Sequence, residues 1–536
     1  MSIAINLIML PQRILPDKWK AAYEESLQLL QAYDFMDCFP AQRNGLEYLF
    51  AGRSRDVENF LETGYRGWRS IGDMRSGEGT EDYIVFGDIQ AYRMSEKTAD
   101  DGRDIFLSVS DKMNQAQEQG GCIDIWGGRT EGEDSHIYLL AVGCLFAARF
   151  PEAVMVTGSV SAGQCERAVQ WANQYLNTPI SVPANGRMNT LLDRLRRSSL
   201  PRGEILEAFF NLTIEAKDSK MGRFLKRTFT DKEISSYYKK RLTSYCPNQR
   251  GFLSILKEYL EMGFSFDELC KIAVKDIDGP REALEDFLSH ILEFRLHIEK
   301  KETGDFTQMA VKRADGGKVD SAEEELVKVL GKFLGAENRN VNAFYPLEKI
   351  RQDCRKVFDR ECDVDSVIES LLERERENSK TSSLQAILYD RPDSIFRQKA
   401  KKSGEGQQKK YDINAYRELI DFKPGCSIRP ELEEDLLKNF RDIYQYAEKE
   451  FKTFSVLDKI ERENYFISGN HNVLLRENVW NRIFEKVMDD EYIIRIYGLF
   501  CVNTEKKEGY LFCRNLFASL EAVDYFWERT VDENEK

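Results

Sequence analysis

The sequence predicts an α/β (or α+β) N-terminal domain with a partly parallel sheet. A mainly helical middle region and a small α+β C-terminal module follow it. Three observations carry that prediction. The first is the stretch 135–183, where the apolar run 137–148 is followed by Pro151, a short apolar segment at 153–157, a loop at 158–164, a helical pattern to Leu176 and a second short apolar segment at 180–182. Helix, strand, loop, helix and strand in that order are the signature of a βαβ unit. The second is a change of texture at Gly186, after which short helical patterns alternate with polar connections. The third is the polar stretch 378–410, with Lys380-Thr381-Ser382-Ser383 and Lys401-Lys402-Ser403-Gly404, which reads as a linker or exposed loop.

Taken in order, Ile3, Ile5, Leu7 and Met9 alternate as a strand with one buried face. The opening residues have no basic segment ahead of their apolar run and no small-residue cleavage site, so a strand is expected there rather than a leader. Residues 16–33 carry Trp19, Tyr23, Leu27 and Leu30 on one helical stripe. Strands are expected at 67–74 and 83–88 around a glycine-rich turn, and again at 104–109 and 122–126. These elements and the opening stretch make up an expected domain at 1–185. Helices are expected at 188–198, 202–213, 219–228, 231–245, 249–262, 266–275 and 280–300, forming a helical domain with a basic surface at 186–300. A helical extension at 301–377 includes helices at 322–334 and 363–377. Beyond the linker, the module 411–536 is expected to hold helices at 412–450 and 472–488, a hairpin pairing 492–502 with 509–513, and a last helix near 519–529.

Composition bounds the function. A chain of 536 residues exceeds one core and suggests roughly three or four units. With 42% hydrophobic residues it can bury sizeable cores, which excludes wholesale disorder. The net charge of −14 argues against a protein coated in nucleic acid. Eleven cysteines, an odd number without a CxxC pair, suit a reducing compartment. No window is long enough to cross a bilayer. The expectation is a cytoplasmic protein that needs no membrane, no cofactor and no metal.

Several clusters invite a chemical reading. Gly158 to Gly163 has phosphate-loop glycine spacing, but Gln164 stands where the loop needs lysine and Cys165 where it needs Ser or Thr. Ser161 sits in a weak copy of a nucleophile elbow, yet Ser161-x-x-Gln164 is also a helix capping box. Asp124, Arg129 and His136 flank a glycine-containing loop. If both loops leave the sheet at one edge, they and Ser161 form a catalytic candidate set for hydrolysis or transfer on a phosphorylated or acyl substrate. Asp73, Glu78, Glu81, Asp82 and Asp88 surround a turn that hard cations favour, without calcium-loop spacing. Asp286, His290, Glu293 and His297 share one helix face, read as a solvated stripe before a metal site.

Charge distribution is more informative. Residues 187–250 contain fifteen Lys or Arg against seven acids, a local +8 that leaves −22 elsewhere. Arg194, Arg196 and Arg197 cluster, as do Arg223, Lys226 and Arg227, and Lys239-Lys240-Arg241 follows Tyr237-Tyr238. These nine cations are the expected partner-binding residues. An acidic protein surface is the favoured partner, and nucleic acid, by phosphate contact and stacking, is the alternative. The expected function is therefore an interaction or accessory protein. An enzyme with a pocket near Trp126 and Ser161 is the competing reading.

Overall fold

The computed structural model describes residues 3–73, 80–93, 102–114, 121–130, 134–198, 200–247, 249–294, 344–358, 362–381, 451–468 and 475–501, with the isolated positions 296, 449, 524 and 528. The fold is mixed α+β, with mostly helical elements and small, chiefly antiparallel sheets. Two compact units divide the chain: Met1–Pro183 with Thr307–Glu325 and Tyr411–Lys536, and Ala184–Phe306 with Leu326–Lys410.

In the first unit, the alternating apolar residues at the start form β1 (Ala4–Met9). Helix α1 (Pro16–Ala32) follows, with Pro16 in its first turn, where a missing N–H costs nothing. Trp19, Tyr23, Leu27 and Leu30 are all buried on it, as their spacing predicts. Strands β2 (Met36–Arg43) and β3 (Leu46–Arg53) form a hairpin closed by Asn44 and Gly45, both with positive φ (53° and 77°). That pair of left-handed residues matches the twist of the flanking strands. Strands β4 (Gly67–Ser70) and β5 (Tyr83–Phe86) pair antiparallel, close to the expected limits.

Residues 104–109 are not a strand. They open α2 (Ile105–Asn114), where Asp104 accepts from the Phe106 amide, and Ile105, Phe106 and Val109 are buried at helical spacing. Next come β6 (Ile123–Arg129), α3 (His136–Arg149), β7 (Val154–Gly158) and α4 (Ala162–Ala172). Residues 139–146 of α3 are completely or almost completely buried, because the helix lies in the core and has no solvent face to make polar.

The sheet corrects the expected topology. Its order is β6-β1-β7, and β1 runs antiparallel to both neighbours. Strands β6 and β7 therefore run the same way, with β1 between them and α3 as their connection, which makes a split βαβ unit. The expected strand at 180–182 does not form. Asn173 takes its backbone instead, donating to the Ile180 carbonyl (3.0 Å) and accepting from the Ile180 amide (2.8 Å). The one parallel pairing among the described residues joins β3 to β8 (Leu475–Arg476).

The C-terminal elements of this unit close over the β2–β3 hairpin. They are α14 (Lys459–Ser468), β8, α15 (Glu477–Glu485) and α16 (Asp490–Cys501), numbered after the helices of the second unit. Glu463 accepts from Arg43 (2.8 Å) and from the turn residue Asn44 (2.9 Å), and the Arg43 guanidinium lies over Phe484. The expected strand at 492–502 is α16. Asp489 accepts from the Tyr492 amide, and Tyr492, Ile493 and Ile496 are buried at helical spacing. Its expected hairpin partner at 509–513 lies outside the described residues, as do the helix expected at 322–334, all but two residues of that near 519–529, and all but one residue of that at 412–450.

The second unit is helical: α5 (Met188–Arg196), α6 (Arg202–Leu212), α7 (Ser219–Thr228), α8 (Asp231–Thr243), α9 (Arg250–Glu261), α10 (Phe266–Cys270), α11 (Leu284–Glu293), α12 (Leu347–Phe358) and α13 (Val364–Thr381). A turn of π-helix, Lys271–Lys275, extends α10. Aromatic packing holds the centre, with Phe210 stacked on Tyr237 (4.5 Å between centroids) and Tyr238 edge-on to Tyr259. Helix α13 runs to Thr381, into the stretch read as a linker, and the remainder of that stretch lies outside the described residues.

Candidate functional site

The strand order places two helix starts at one sheet edge. Ile5 of β1 is flanked by Gly128 of β6 and Gly158 of β7, so both strands end beside the beginning of β1. The Thr130 amide donates to the Ile3 carbonyl and the Ser159 amide to the Ala4 carbonyl. Gly158 is required here: its φ is +109°, and a Cβ would stand 2.6 Å from the Ala4 carbonyl oxygen. Helix α3 starts just beyond β6 and α4 just beyond β7, so the two loops do emerge together.

At that edge Thr130, Ser135, His136 and Gln164 are all buried. Thr130 Oγ1 lies 2.5 Å from His136 Nδ1, and His136 Nε2 lies 3.4 Å from Gln164 Oε1. Gln164 Oε1 also accepts from the Ser161 amide (2.9 Å), while Ser161 Oγ accepts from the Gln164 amide (3.2 Å). The capping box is therefore complete, as the sequence predicts. Because Gln164 Oε1 only accepts, the imidazole proton belongs on Nε2, and Nδ1 accepts from the Thr130 hydroxyl. Burial pushes the His136 pKa down to about 4, so the ring is neutral near pH 7. The chain Thr130–His136–Gln164–Ser161 ties β6, α3 and α4 into one polar network.

The four catalytic candidates separate on this geometry. His136 and Ser161 meet, but through Gln164: both imidazole nitrogens face other partners, and the Ser161 hydroxyl serves the helix cap. Arg129 is at the sheet edge with its guanidinium turned to Glu81 (3.6 Å). Asp124 is exposed and sits opposite Ile8, well down the strand from the helix starts. Ser135 and the Gln164 carboxamide are the residues that sequence reasoning missed. Gln164 was legible as a cap, but its contact with His136 depends on sheet closure.

The acidic turn disperses into separate pairings. Asp73 accepts from the Tyr33 hydroxyl, Glu81 binds Arg129, Asp82 lies 3.9 Å from Arg69, and Asp88 caps a short helix by accepting from the Gln90 amide. Glu78 lies outside the described residues. On α11, His290 lies beside Glu282 (2.8 Å) from the preceding loop, and His297 is outside the described residues. Among the described residues, no group of three or more His, Cys, Asp and Glu is placed to hold a metal.

The basic region divides in the same way. On α8, Lys239 pairs with Asp276 (2.9 Å), Lys240 with Glu207 (2.8 Å) and Arg241 with Glu258. Glu258 is held below the usual carboxylate range: its burial opposes this, but the adjacent Lys217 and Arg241 outweigh the burial. Tyr237 and Tyr238 are buried, so neither offers a face for base stacking. On α5, Arg196 and Arg197 are exposed and Arg194 is half-buried, and their positions scatter around the helix.

Helix α7 differs from both. Lys220, Arg223, Lys226 and Arg227 are all exposed and fall within a sector of roughly 120° at 3.6 residues per turn. The opposite face, Met221, Gly222 and Leu225, is buried. Among the described residues Arg223, Lys226 and Arg227 form no ion pair; the Lys226 ammonium instead donates to the Gly263 carbonyl (3.0 Å), and Lys220 stands 3.9 Å from Glu215. A Cβ on Gly222 would stand 1.9 Å from the Met262 carbonyl oxygen, so this glycine lets α7 seat directly on the end of α9.

No helix among the described residues is long and apolar enough to cross a membrane. Compared with known protein families, with curated proteins and with solved structures, the chain matches none of them, so its own geometry is the guide to what it does.

Proposed function

We propose that this is a cytoplasmic, multi-domain interaction protein that docks an acidic protein surface through its helical middle region, with α7 as the contact face. One observation carries the reading: α7 presents Lys220, Arg223, Lys226 and Arg227 on one exposed sector, whereas Lys239, Lys240 and Arg241 of α8 are neutralised by carboxylates of their own unit. Surface cations clustered on one helix face, of which Arg223, Lys226 and Arg227 form no ion pair among the described residues, attract an anionic partner at long range and set its orientation. The burial of Tyr237 and Tyr238 withdraws the stacking element that favoured single-stranded nucleic acid.

The test uses the full chain and labelled poly-glutamate at low salt. Reversing charge at Arg223, Lys226 and Arg227 to Glu is expected to weaken binding by about tenfold or more, with a slope against salt that flattens. Equal binding by parent and variant would sink the reading. Tighter binding of a single-stranded oligonucleotide than of poly-glutamate by the parent would move it to nucleic acid.

A further inference from the structure

We infer that the edge where β6 and β7 end is a binding site for a small oxyanion, a phosphate or phosphate-like group, held between the starts of α3 and α4. The inference goes beyond the docking role of α7 and rests on different residues in the other unit.

Topology is the first support. Both β6 and β7 finish at this edge and each leads into a helix, of 14 and 11 residues, so two positive helix ends converge on one place. Ligands of α/β sheets collect outside the carboxyl ends of such strands, and helix starts offer backbone N–H groups and a positive dipole to an anion.

The second support is independent of the helices. Ser135, the residue capping α3, makes no side-chain cap bond, and its Oγ has no hydrogen-bond partner among the described residues although it is completely buried. Gln164 is 1% exposed, and its Nε2 likewise has no partner among the described residues. Its orientation is fixed, because Oε1 must accept from the Ser161 amide, so Nε2 cannot be exchanged for it. A buried donor left unsatisfied costs about 1–3 kcal/mol, so such groups in a folded protein ordinarily face a ligand or an ordered water. Gln164 Nε2 carries two donors and Ser135 Oγ one, and Arg167 lies near enough to His136 to disfavour its protonation. Donors with a nearby cation fit an oxyanion. Ser161 and Gln164 keep their capping bonds and need not move to receive it.

The experiment is thermal unfolding of the full chain with inorganic phosphate against sodium chloride at matched ionic strength. Phosphate is expected to raise Tm saturably and chloride is not. Gln164→Glu retains an acceptor for the Ser161 amide but places a negative charge at the site, and is expected to weaken phosphate binding by about tenfold or more. Ser135→Ala, which touches no cap bond, is expected to weaken it less and serves if the first variant does not fold. The triple charge reversal on α7 is expected to leave the phosphate response intact, which separates this site from the docking face. Phosphate and chloride responding alike would overturn the assignment, since the unpartnered donors then serve only an internal water. So would a saturable phosphate response that survives both substitutions at the strand ends or vanishes with the α7 variant.

Discussion

At the strand ends of the first unit, Thr130, Ser135, His136 and Gln164 are withdrawn from water, and Thr130, His136 and Gln164 are bound to one another. On α7 of the second unit, Lys220, Arg223, Lys226 and Arg227 stand in water above a buried stripe. The difference lies in what each arrangement recognises. Withdrawn groups discriminate by hydrogen-bond geometry, because an unmet donor there is expensive. Exposed cations act through their field, which is long-ranged, screened by salt and tolerant of the partner's shape. The two regions should therefore respond oppositely to substitution, with fold stability at risk in one and binding in the other. Gly222 is the exception that tests this division, since it sits beneath the exposed cations yet belongs to the packing.

The largest expected effect is there. Gly222→Ala puts a methyl group into the Met262 carbonyl, and α7 must lift from α9. A loss of about 3 kcal/mol is expected from such overpacking, read by urea unfolding, together with faster amide exchange along α7 and α9. Unchanged exchange would mean that α7 is not seated through this glycine, and its cations would lose their rigid base.

Next in size is a pH effect confined to the first region. His136 has its pKa lowered from 6.5 to about 4 by burial, so the unfolded chain binds a proton between those values that the folded chain does not. Stability is complete above about pH 6.5 and falls progressively toward pH 4, by about 3 kcal/mol in all at 1.36 kcal/mol per pH unit. His136→Gln should remove this component, so the difference between parent and variant narrows as pH falls across that window. A constant difference from pH 7 to pH 4 would show that His136 takes up its proton normally in the folded protein.

How far the sequence foretold this contrast depends on how local each feature is. The alternation of Ile3, Ile5, Leu7 and Met9, the stripe of α1 and the Ser161–Gln164 cap are all set by residues within a few positions, and all are found as expected. Asn44-Gly45 is an equally local hairpin signal. The errors at 104–109 and 492–502 share a cause: short apolar runs suit strand and helix alike, and the capping bonds from Asp104 and Asp489 decide for helix. The excess of +8 at 187–250 was overstated because some of its neutralising partners, Glu258 and Asp276, lie just past the window over which it was counted. The meeting of His136 with Gln164, 28 residues apart, follows from β1 inserting between β6 and β7, and no periodicity reveals that.

A smaller effect separates cap from nucleophile. Ser161→Ala removes the acceptor of the Gln164 amide and should cost about 1 kcal/mol, the usual worth of an N-cap, whereas Ser161→Asp should restore most of it. Rescue by Asp is the informative arm, since a carboxylate caps a helix well and cannot replace a serine nucleophile. If Asp failed to recover stability, the hydroxyl would have a role that the cap does not describe.

The smallest expected change in stability is on α7 itself. Replacing Arg223 and Arg227 by Gln keeps much of the length of both side chains and removes two charges that have no carboxylate partner among the described residues. Stability should move by no more than about 0.5 kcal/mol, because exposed cations of this kind contribute little to the fold. Arg227, in the last turn, favours the negative end of the helix dipole, so the small change should be a loss. A drop several times larger, measured in the same urea unfolding as Gly222→Ala, would show that these side chains hold the unit together. The division between a region that recognises by geometry and one that recognises by field would then fail on its exposed side.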